Sequence, residues 1–75
     1  MKSFVVVRLE SFGVSEEELY SALDIRDCLS WIHVVCRSVG LSPENYRIDV
    51  CEDGVFAESL YAYDPAIDHY LLSNE

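Results

Sequence analysis

Positive charge is what this chain has least of: five lysines and arginines stand against fourteen aspartates and glutamates, a net charge of −9 over 75 residues. That deficit argues against nucleic acid or an anionic membrane as the direct ligand, because both would repel the protein. Glycine is equally scarce. Gly13, Gly40 and Gly54 each have a turn or helix-end duty, so none is left for a phosphate-cradling loop. The three cysteines, Cys28, Cys36 and Cys51, are odd in number and lack a framework spacing, which predicts reduced thiols rather than disulfides. Long hydrophobic runs are missing too. Phe4 to Val7 is closed by Arg8, too short for the apolar segment of a secretory leader or for a bilayer span, so a cytoplasmic protein is expected.

About half of the residues, 51%, are apolar. A chain of this size holds its apolar content in one core, so residues 1–75 read as a single domain of modest stability. Residues 2–10 read as a first strand, with Val5, Val7 and Leu9 on one face and Phe4 and Val6 on the other. Apolar residues on both faces place it centrally in a sheet. Ser15 and Glu18 form a Ser-x-x-Glu capping box and predict a helix from there. Leu19 and Leu23 are nearly half a turn out of phase with the stripe Ile25, Cys28, Leu29, Ile32, Val35, Cys36 and Val39, which demands a break near Asp24. Asp24 then caps a second, longer helix that Gly40 ends, with Leu41 and Pro43 beyond.

Residues 45–52 alternate, with Tyr46, Ile48 and Val50 on one face. Asp53-Gly54 is a type I′ hairpin signal, because that turn needs positive φ at both positions. A plain two-residue loop sets Val50 opposite Ala57 and Asp49 opposite Glu58. Asp64-Pro65 reads as cap and first-turn proline of a short C-terminal helix, with a fourth strand through Ile67, His69 and Leu71 as the alternative. The fold class predicted is α+β, a three-stranded sheet with two helices on one face, in the order β-α-α-β-β plus the short C-terminal helix.

The pattern points away from an enzyme. Ser30 and His33 are one helical turn apart and His69 follows Asp68, but neither pair sits in a nucleophile setting. Cys28, His33 and Cys36 lack zinc-knuckle spacing, so no metal or cofactor is expected. A pocket enclosing a small substrate is hard to build from so little core.

The carboxylates carry more. The inferred register places Asp49 across from Glu58, a like-charge pair that folding alone would not favour. Glu52, Asp53, Asp64 and Asp68 extend the acidic field past both ends of the hairpin, and Phe56 supplies an exposed apolar anchor. Solubility alone would also favour net negative charge. A pleated row of carboxylates has a spacing close to that of phosphates along a DNA strand, and a basic protein surface would attract it. In size, acidity and layout the chain resembles the small phage-encoded anti-CRISPR proteins and the antirestriction DNA mimics. The residues behind that resemblance are Glu16, Glu17 and Glu18, the Asp49 and Glu58 pair, and the Glu52-Asp53-Gly54 tip. It implies an inhibitor in the host-cell cytoplasm that occupies a basic nucleic-acid-binding site of a defence complex. The rival is a self-associating adaptor or antitoxin-like protein, a homodimer for example, that docks through apolar surface.

Overall fold

The structure, a computed structural model, describes residues 1–10 and 15–73. Four strands and two helices follow in the order β1 (Lys2–Arg8), β2 (Glu17–Ala22), α1 (Ile25–Val39), β3 (Tyr46–Glu52), β4 (Val55–Tyr61) and α2 (Ala66–Ser73), with a 3-10 turn at Pro43–Asn45. The strands form one antiparallel sheet in the order β2-β1-β3-β4. The class is α+β, as expected, but the sheet has four strands rather than three. The first and third strands run antiparallel.

The extra strand is where a helix was predicted. The Ser15–Glu18 capping box is a local preference worth about 1 kcal/mol, and tertiary pairing overrides it. Strand β2 hydrogen-bonds along β1, with Phe4 opposite Ala22 and Val6 opposite Tyr20. Tyr20 stacks on Trp31 of α1, with ring centroids 5.5 Å apart. A bulge between Val6 and Val7 leaves Leu19 as the extra residue, so Leu19 and Tyr20 both pack against the core. The half-turn phase jump at Asp24 marks a real boundary: a strand ends there and a helix begins.

Local signals hold from Asp24 onward. Its carboxylate accepts from the Arg26 backbone N–H at 2.9 Å and opens α1. Gly40 is left-handed, with φ 72°, and donates to the Cys36 carbonyl at 2.8 Å, closing the helix. Of the predicted stripe, Ile25, Cys28, Ile32 and Cys36 are buried while Val39 is exposed. They pack on Phe4, Val6, Tyr46, Ile48, Val50, Leu60 and Tyr70, one core between the helices and one face of the sheet. As expected, β1 is interior, between β2 and β3. The segment after Asp64 is a helix, not a strand: Asp64 accepts from the Ala66 N–H at 2.9 Å.

The hairpin keeps its turn and loses its register. Asp53 and Gly54 have φ of 51° and 83°, as a type I′ turn requires. A bulge between Val50 and Cys51 leaves Ala57 as the extra residue, so Val50 faces Glu58, Asp49 faces Ser59 and Ile48 faces Leu60. A one-residue slip moves every later side chain to the other face. Leu60 thereby enters the core and Tyr61 is left exposed. Burying a leucine contributes about 1.5–3 kcal/mol, more than Ala57 could.

Candidate functional site

That slip dissolves the acidic pair. Asp49 lies on the sheet face away from the helices, where Ser59 Oγ donates to it at 2.7 Å and Arg47 Nε at 2.8 Å. Arg47 also reaches Glu16 at 2.8 Å. Arg47 and Asp49 are only 17% and 16% exposed at their side chains, so this is a half-buried structural network. Its two carboxylates push the Arg47 pKa up. Glu58 faces the opposite way, toward the helices, and accepts from the Tyr70 phenol at 2.5 Å. That hydrogen bond, with burial, pushes the Tyr70 pKa up to about 12. The expected like-charge row of Asp49 and Glu58 therefore does not exist.

The other predicted site residues separate into two places. Glu52 and Asp53 sit at the hairpin tip, where the amino terminus of Met1 pairs with both and has its own pKa raised, mainly by Asp53. Phe56 lies near them and is 59% exposed. At the other end of β4, Asp64 caps α2 and Asp68 stands exposed in its first turn.

There the fold opens a groove of about 440 Å³, running from α1 and the 3-10 turn, past the ends of β3 and β4, to α2. The buried Ile32, Tyr46, Ile48 and Leu60 form its floor, with the half-buried Leu29 and Ile67 at its sides. Tyr63, Asp64 and Asp68 belong to its rim. Tyr63 is 78% exposed and holds φ 64°, a left-handed conformation that is an outlier for a bulky side chain. The groove's lining is mostly aliphatic and aromatic, and the one cation, Arg47, is already bound by Asp49 and Glu16. Such a concavity suits an apolar group beside a positive charge.

No protein-family model, curated protein or solved structure matches this chain. What the site can do is therefore argued from its geometry. Cys28 and Cys36 are buried, and desolvation pushes their thiols up, Cys28 to about 11, so neither offers a thiolate near neutral pH. His33 and His69 are exposed on α1 and α2. Among the described residues no group of three His, Cys, Asp or Glu side chains is arranged to hold a metal ion. Among them, too, no helix is long and apolar enough to cross a membrane.

Sequence reasoning had named Asp64 and Asp68 but missed Tyr63 and the groove between them. The signal available was Tyr61-Ala62-Tyr63-Asp64-Pro65, two tyrosines crowded against a helix cap. Nothing local says that α1 and the 3-10 turn come to lie beside that segment.

Proposed function

We propose that this protein acts by binding a basic surface of another protein, with the acid-rimmed groove as part of its contact. One observation carries the reading: four of the chain's five lysines and arginines are already engaged, Arg37, exposed on α1, being the exception. Arg8 pairs with Glu17, Arg26 with Asp24, and Arg47 with Asp49 and Glu16, while Lys2 lies 5.1 Å from the centre of the Tyr70 ring. Asp68, by contrast, has no ion pair among the described residues, and it lies beside exposed aromatic and apolar surface. Opposite charge is then the complement missing from this surface, and steering would raise the association rate. The finer reading is that the partner surface belongs to a nucleic-acid-binding defence complex, with the protein an anti-CRISPR-like or antirestriction-like inhibitor. It rests on acidity, size and the resemblance, and no longer on a carboxylate row at the hairpin.

The test is to identify the host partner by affinity capture, then measure its affinity at low and at high salt and in competition with DNA. The reading expects affinity to fall by about tenfold or more over a tenfold rise in salt, and DNA to displace the protein. A partner held equally at both salts, or held together with DNA, refutes it.

The edge strand β4 favours a second reading. Its first four residues, Val55 to Glu58, are all exposed. An uncovered strand edge with apolar side chains is a template for pairing with another copy. Sedimentation of the purified protein decides it: a salt-independent dimer that Phe56→Lys dissociates would place self-association first.

A further inference from the structure

We infer that the groove beside α2 receives a partner segment that seats an aliphatic side chain between Leu29, Ile32 and Ile67 and sets an arginine or lysine against Tyr63, Asp64 and Asp68. This rests on the basic-partner reading above and names the chemistry of the contact. The lining residues Leu29, Ile32 and Ile67 are aliphatic and come from two helices, so this part of the groove favours an aliphatic side chain over a polar one. The rim supplies two carboxylates and an aromatic face, which together attract a cation from two directions. The competing internal cation, Arg47, is held by Asp49 and Glu16. Tyr63 holds its left-handed backbone inside the turn that the Asp64 N–H closes on the Tyr61 carbonyl at 3.1 Å, so its exposed ring is carried at a fixed place on the rim. Asp64 uses one carboxylate oxygen to cap α2, so its charge is held at a fixed point on the rim.

The probe is a labelled peptide with a Leu-Arg-Leu-Arg centre in a Gly-Ser background, titrated into the whole protein and followed by amide NMR shifts. Two comparison peptides carry Ser-Arg-Ser-Arg and Leu-Gln-Leu-Gln. The first peptide should shift Leu29, Ile32 and Ile67, and both comparison peptides should bind at least about fivefold more weakly. Tyr63→Gly and Asp68→Asn should each weaken it by about threefold or more. Glu18→Gln, on β2 at the far edge of the sheet, removes the same charge and should change it less than twofold. Tyr63→Gly should relieve the left-handed strain, and its denaturation midpoint, measured alongside, separates lost binding from lost folding. Shifts centred on the hairpin tip, or equal weakening by Glu18→Gln and Asp68→Asn, would reduce the contact to general attraction to an acidic protein and overturn the groove. A salt-sensitive partner that ignores Tyr63→Gly and Asp68→Asn overturns the groove alone. Peptide binding in the groove without any salt-sensitive partner supports the groove and overturns the basic-partner reading.

Discussion

Strands β3 and β4 are joined by a two-residue turn and pair along their length, yet they live in different surroundings. In β3 every second residue from Tyr46 to Val50 is buried, because the strand lies between β1 and β4 and under the core. In β4 the first four residues are exposed, and Leu60 alone is fully buried. The difference shows what an edge strand can do. It meets its packing obligation with one residue and keeps the rest for surface, while its C-terminal end turns into the groove. The bulge at Ala57 divides the two halves of β4 and breaks its regular edge, which also limits indiscriminate strand pairing.

The largest effect should separate those halves. Leu60 is 2% exposed, and Leu60→Ala should cost about 2–5 kcal/mol in chemical denaturation. Phe56→Ala, on the same strand, should stay within about 0.5 kcal/mol. Equal costs would mean that the tip of β4 is covered after all.

Alkaline pH should loosen the covered layer and spare the edge. The Cys28 thiol, which donates to the Phe4 carbonyl, has its pKa raised from 9.0 to about 11, chiefly by burial. The folded state therefore favours the protonated form. That stabilisation is complete below the unfolded pKa near 9 and is lost as pH rises through about 11, at most about 3 kcal/mol. Tyr70, raised from 10.0 to about 12 by its bond to Glu58, adds a loss at still higher pH by the same sign. Unfolding midpoints at pH 8 and pH 10.5 check this, and Cys28→Ala should flatten the first drop; an unchanged drop would assign it elsewhere.

Asp49 sharpens the comparison from the β3 side. Had it faced Glu58, removing its charge would relieve repulsion. Held by Arg47 and Ser59 in a half-buried network, Asp49→Asn should instead destabilise by about 1–3 kcal/mol, leaving Arg47 with Glu16 alone. A neutral or stabilising result would restore the register read from the turn.

Tyr63→Gly should give the smallest change and the opposite sign. Releasing the left-handed strain, less the entropy glycine loses on folding, should raise stability by about 0.5–1 kcal/mol. A loss of stability would show that the Tyr63 ring packs for folding, and would remove the reason for placing it in a binding site.

Much of this molecule is written in short stretches of chain. Phe4 to Val7, apolar on both faces, specifies an interior strand. Asp24 and Gly40 bound α1, Asp53-Gly54 forms the type I′ turn, and Asp64 caps α2. Each depends on backbone geometry and hydrogen bonds within a few residues, which sequence carries directly. Tertiary structure alone decided three things: that Glu17–Ala22 is a strand despite its capping box, that a bulge at Ala57 turns Leu60 inward and parts Asp49 from Glu58, and that α1 closes one side of the groove under Tyr63. In each, the deciding energy comes from partners distant in the chain: β1 and Trp31 for β2, the core for Leu60, two helices for the groove. A strand's side chains alternate with a period of two, so a single long-range contact that shifts register by one residue redirects everything after it.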